Sequence, residues 1–169
     1  MNSSIFRLAV CGRYRKSSLD LHQEDINSFS CLNSTPLHYA ILGGNEETVR
    51  YLIERGAKTN AQNVYLESVL HWACKEGDLA IIRLLVQHKA SVTALDSEGN
   101  SPMHWAAEYD NEKVILLLLE SGGHSSLHIK NEDGHTPRQV AKRNKSKQAL
   151  AALRKIPSSC SHPCLSLVP

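Results

Sequence analysis

A six-residue phrase returns along this chain at almost constant spacing. Thr35–Ala40 reads TPLHYA, Ser68–Ala73 reads SVLHWA, Ser101–Ala106 reads SPMHWA and Thr136–Ala141 reads TPRQVA, with starts 33, 33 and 35 residues apart. Other landmarks keep the same step: Asn27, Asn60 and Thr93 are 33 residues apart, and so are Leu52, Leu85 and Leu118. A period of this size marks a solenoid. Each unit is too small to bury its own apolar face and does so only against a neighbour, so the chain must build a linear stack.

Each unit reads as two short helices and a connecting arm. Thr35 and Ser101 are good N-cap residues, followed by Pro36 and Pro102 at the first helical position, where no amide hydrogen is needed. Leu37, Ala40 and Ile41 then share one helix face. Gly44 and Gly77 end the first helices. Val49, Leu52 and Ile53, then Ile81, Ile82, Leu84 and Leu85, supply the apolar face of second helices, the earlier of which Gly56 stops. Asp96–Asn100 and Asn131–Gly134 carry turn chemistry and form the arms.

These phrases, with RGAKTNAQ at 55–62, resemble the ankyrin repeat family over residues 30–156. The resemblance implies an all-α repeat solenoid of stacked helix–turn–helix units with projecting β-hairpin arms and a concave groove that binds another protein. The expected units are 30–62, 63–95 and 96–130. They are flanked by a degenerate N-terminal capping repeat over 1–29 and a C-terminal capping repeat over 131–156, where Arg138 and Gln139 replace the usual Leu and His. Residues 157–169, rich in Ser and Pro, read as a disordered tail.

Composition narrows the function classes. The longest apolar run, Val114–Leu119, has six residues against the roughly 20 that span a bilayer, so membrane insertion is not expected. Arg7 interrupts the only apolar stretch near the start, which argues against a secretory signal. Cys11, Cys31, Cys74, Cys160 and Cys164 are odd in number and scattered, which points to a reducing cytoplasmic or nuclear setting. Seven basic and no acidic residues lie between Arg138 and Lys155. With no base-reading motif beside them, they read as a solvated terminal face rather than a nucleic-acid site.

Nothing in the sequence supplies catalytic machinery. Phosphate-cradling glycine loops and a nucleophile elbow are missing, and Glu46/Glu47 and Glu132/Asp133 fall on exposed helix starts or arms. No catalytic residue, cofactor, metal or small-molecule substrate is expected. His38, His71 and His104 recur three residues after each N-cap, and a linear stack holds such positions about 10 Å apart, too far to share one ion. The resemblance implies that each bridges the cap hydroxyl and nearby backbone. Cys160, His162 and Cys164, with His124, His128 and His135, match no common zinc spacing.

The resemblance places partner contacts at arm tips and exposed first-helix positions, here Cys31, Leu32, Leu42, Val64, Tyr65, Lys75, Glu76, Ser97, Glu98, Glu108, Tyr109, Glu132, Asp133, Lys142 and Arg143. Tyr39, Trp72, Trp105 and Val140 form a further ladder; Trp72 and Trp105 serve either packing between units or an aromatic stripe along the groove. Val64, Tyr65 and Leu66 put an apolar tip on an arm, either tucked against its neighbour or offered to a partner. By resemblance, Asn27 and Asn60 stand at the arm position that asparaginyl hydroxylase modifies. The leading expectation is a monomeric adaptor or scaffold that binds a protein partner. The chain also resembles the ankyrin region of Asp-His-His-Cys palmitoyltransferases, which implies substrate recruitment without acyl transfer. It resembles ankyrin-type inhibitors of cyclin-dependent kinases less, because Leu70–Gly77 forms a regular first helix.

Overall fold

The computed structural model describes Phe6, Ala9 and residues 26–156. Most of the expected capping repeat at 1–29, and all of the tail at 157–169, lie outside the described residues. Among residues 36–155, eight α-helices form four pairs: α1 Pro36–Leu42 with α2 Glu46–Glu54, α3 Val69–Glu76 with α4 Leu79–Gln87, α5 Pro102–Glu108 with α6 Glu112–Glu120, and α7 Pro137–Arg143 with α8 Lys147–Lys155. The first helices α1, α3, α5 and α7 pack in series, and the second helices α2, α4, α6 and α8 form another row beside them. The chain is an all-helical repeat solenoid. The longer third step is taken up after α6, where Gly123–Leu127 forms a 3-10 turn.

Local chemistry starts the first helix of each pair where the sequence predicts. The backbone N–H of Thr35, Ser68 and Ser101 donates to Nδ1 of His38, His71 and His104 at 3.1, 3.0 and 3.1 Å. Thr136 N–H donates instead to Gln139 Oε1 at 2.8 Å. The histidine takes the part that Glu or Gln plays in a capping box. Asn45 and Asp78 cap α2 and α4 by accepting from Thr48 N–H at 2.8 Å and Ala80 N–H at 2.9 Å.

Two columns of side chains hold the stack together. Ala40, Ala73, Ala106 and Ala141 are fully buried at 0% exposure, and a methyl group at this place lets successive first helices approach closely. Leu52, Leu85, Leu118 and Leu153 are 0, 0, 0 and 3% exposed and fill the second row. Burial of each such leucine is worth about 1.5–3 kcal/mol. Polar bridges add register. His38, His71 and His104 Nε2 lie 3.3, 3.0 and 3.1 Å from the carbonyls of Glu67, Asn100 and His135 in the following unit. Because Nδ1 accepts a backbone N–H, Nε2 carries the proton and donates. Gln139, in the last described unit, keeps the cap where no further described arm follows.

The arms are short hairpin turns, closed by backbone bonds from Asn63 N–H to Glu67 O at 3.1 Å, Asp96 N–H to Asn100 O at 2.9 Å and Asn131 N–H to His135 O at 3.0 Å. Among the described residues the only strand-like pairing outside helices is one antiparallel bridge, Gln62 to Ser68. Side chains take the amides that a strand ladder would pair: Asn63 Oδ1 accepts from Tyr65 and Glu67 N–H at 2.9 and 3.0 Å, and Asp96 Oδ1 from Glu98 and Asn100 N–H at 2.9 and 2.8 Å. Each arm then joins the next by a backbone bond. Val64 N–H donates to Leu32 O at 3.1 Å, Ser97 N–H to Tyr65 O at 2.8 Å and Glu132 N–H to Glu98 O at 2.9 Å.

Candidate functional site

The aromatic ladder is built by the helix phase. Tyr39, Trp72 and Trp105 stand on the side of α1, α3 and α5 away from their own unit's core, so each ring meets the neighbouring unit. Trp72 packs edge-on against His38 at 5.3 Å and Tyr39 at 6.2 Å, and Trp105 packs edge-on against His71 at 5.6 Å. Phe6, 33 residues before Tyr39, meets its ring at 5.2 Å. Val140, the fourth member, is half-buried. Packing between units is therefore one role of these rings. Their indole edges have a second one.

Trp72 Nε1–H donates to Glu67 Oε2 at 2.8 Å, and Trp105 Nε1–H to Asp96 Oδ2 at 2.9 Å. Carboxylates of the arms are thus pinned onto the first helices. Between arm and helix lies a recess of about 190 Å³, walled by Tyr65, Glu67, Asp96, Ser97, Glu98, Asn100, Trp105, Glu108 and Tyr109. Asp96 is only 8% exposed, and hydrogen bonds from two backbone N–H groups and an indole satisfy its buried oxygens.

Of the sequence-predicted residues, Tyr65, Ser97, Glu98, Trp105, Glu108 and Tyr109 come together here. Lys75 reaches the rim, with Nζ 5.5 Å from the centre of the Tyr109 ring. Trp72 joins through its bond to Glu67, and Glu132 through its backbone bond to Glu98. Leu42, Val64 and Glu76 are exposed outside the recess, as are Cys31 and Leu32 on the first arm. Asp133 pairs with Arg143 at 3.2 Å in the last unit, where Lys142 is exposed, so these three stand apart. With the step of 35 residues, Arg143 rather than Lys142 takes the place of Lys75 and Glu108.

The sequence reading missed Glu67, Asp96 and Asn100 as walls. A signal existed: Asn63, Asp96 and Asn131 recur at steps of 33 and 35 residues, as arm-closing positions must. The apolar tip is offered to solvent rather than tucked away, with Val64, Tyr65 and Leu66 at 54, 52 and 49% exposure.

Asn27 and Asn60 have both ends of their amides engaged. Asn27 donates to Gly56 O at 3.1 Å and accepts from Lys58 N–H at 2.9 Å, and Asn60 donates to Lys89 O at 3.0 Å and accepts from Ser91 N–H at 2.8 Å. They tie consecutive units together. Burial lowers the pKa of His38 to about 4 and depresses those of His71 and His104, against the smaller opposing effect of their backbone partners. Burial pushes the Cys74 thiol well above its ordinary value. Among the described residues no group of three metal-ligating side chains converges, and no helix is long and apolar enough to cross a membrane. Cys160, His162 and Cys164 lie outside the described residues.

Comparison with protein families gives two overlapping matches. A single ankyrin repeat matches residues 33–64, and ankyrin repeats in three copies match residues 59–131. Together they span more than half of the 169 residues. No curated protein matches the chain.

Proposed function

The chain belongs to the ankyrin repeat family, whose repeats mediate protein–protein interaction, and from that premise we propose that it is a non-catalytic adaptor or scaffold. Its partner protein docks on the side where the arms meet the first helices. The observation that carries this reading is the convergence of Tyr65, Glu98, Trp105, Glu108 and Tyr109 from two arms and one helix on a single recess. Aromatic rings that a partner covers, rimmed by charge, are the usual make-up of a binding hot spot. The reading takes the units as 30–62, 63–95, 96–130 and 131–156 and places the protein in the cytoplasm or nucleus.

The partner is identified by affinity purification from the native cell type and mass spectrometry. Calorimetry with that partner then tests the surface. Tyr65→Ala combined with Tyr109→Ala weakens binding by at least about 2 kcal/mol while the fold is kept. Arg50→Glu and Lys113→Glu, on the exposed sides of α2 and α6, leave it nearly unchanged. The opposite ranking overturns the assignment.

A further inference from the structure

We infer that the recess receives an arginine side chain, presented between apolar residues on an extended segment of the partner protein. This deepens the reading above and rests on it. The recess volume of about 190 Å³ is below the roughly 300–1,000 Å³ of small-molecule sites and suits one long side chain. Its charge is one-sided. Glu67, Asp96, Glu98 and Glu108 all line it, yet the ion pairs among the described residues are Arg50 with Glu46 and Asp133 with His135 and Arg143. No ion pair among the described residues neutralises the recess. Lys75, at its rim, sits over the Tyr109 ring.

Asp96 spends its oxygens on backbone amides, the indole and Asn100, and Glu98 Oε2 accepts from Asn100 Nδ2 at 3.3 Å. Glu98 and Glu108 are nevertheless exposed, and the Glu108 carboxylate has no partner among the described residues. Three aromatic rings, Tyr65, Trp105 and Tyr109, stand among these carboxylates. A flat, weakly hydrated guanidinium stacks on such rings while its fork of donors reaches more than one carboxylate. An ammonium presents neither a plane nor a fork.

The surroundings set the flanks. Val64, Leu66 and Leu95, next in sequence to the walls Tyr65 and Asp96, are 54, 49 and 42% exposed and call for apolar side chains on either side of the arginine. The chain's own basic end does not meet this need. None of its exposed large apolar residues lies between 138 and 156, and Arg143 is already paired with Asp133.

The test uses the full chain and the peptide acetyl-Leu-Arg-Leu-amide, with the citrulline peptide as its uncharged isostere. Trp72 and Trp105 are the only tryptophans, so two indole N–H signals report by NMR. The arginine peptide shifts the Trp105 signal saturably and the Trp72 signal far less. The citrulline peptide shifts neither. Glu98→Gln combined with Glu108→Gln, both on exposed residues, weakens the arginine peptide at least about tenfold and leaves the Trp72 signal in place. A silent Trp105 signal, equal response to citrulline, or an unaffected double variant overturns the inference. So does a concentration-dependent dimer, seen by sedimentation, that this variant dissolves, because the arginine would then come from a second copy. If the peptide fails while Tyr65→Ala with Tyr109→Ala still releases the partner, the groove reading stands and only the arginine falls.

Discussion

Asp110 Oδ1 accepts a hydrogen bond from Ala149 N–H at 2.8 Å, so the residue that closes one unit's first helix caps the second helix of the next. The hydroxyl of Ser146, the N-cap residue of α8, instead donates to Glu108 O at 3.2 Å. Asp110 does this from a left-handed backbone conformation, φ 58°, at the place where Gly77 stands in the preceding unit. Aspartate tolerates that conformation because its short polar side chain bonds locally.

Asp110→Ala therefore loses a cap and leaves a Cβ in the left-handed region without compensation. The expected cost is about 1–3 kcal/mol, read from the urea midpoint. Asp110→Asn keeps both the acceptor and the conformational tolerance and stays within about 0.5 kcal/mol of the parent. Equal losses for the two variants would show that the α8 cap is not formed.

Leu66 is strained in the same way, at φ 56°, where Gly99 and Gly134 occupy the matching arm positions. Its side chain is half exposed, so little packing is lost when it is removed. Leu66→Gly is expected to raise stability by up to about 1 kcal/mol. A lowered melting temperature would mean that the side chain packs on its neighbours in solution.

Acid should loosen the stack through the three buried histidines. In the unfolded chain each titrates near 6.5, while folding lowers His38 to about 4 and depresses His71 and His104. Above pH 6.5 both states are neutral and stability is at its full value. As pH falls from there towards 4, the unfolded chain takes up protons that the folded chain refuses, so stability falls by up to about 1.4 kcal/mol per pH unit for each histidine. Urea titrations at pH 7.5 and 5 measure this. Equal midpoints would rule out the assigned neutral rings that accept at Nδ1 and donate at Nε2.

Leu85 is fully buried in the middle of the second-helix row. Leu85→Ala empties a site walled on both sides by neighbouring units and should cost about 2–5 kcal/mol. An unchanged urea midpoint would contradict the packing register of α4 against α2 and α6.

The repeat step, the helix pairs and the buried columns were legible because each is a local or periodic property. Thr35 and His38 are three residues apart, and the family resemblance implied the cap bridge that they form. Leu52, Leu85 and Leu118 face the stack because a helix has one phase and the units repeat it. The double role of Trp105 was open, since one ring edge packs on His71 and the other bonds to Asp96. No spacing argument separates two edges of one ring.

By itself, the sequence determined the solenoid, its unit length and its core, since a 33-residue period of short amphipathic helices has no other way to bury its apolar faces. Only the tertiary structure decided the recess and the shape of the arms. Tyr65, Asp96 and Tyr109 come from different arms and a helix end, and their meeting depends on the offset between units, which backbone bonds such as Ser97 N–H to Tyr65 O set at 2.8 Å. That offset is a sum of many packing contacts across the stack. It is written in no single stretch of residues.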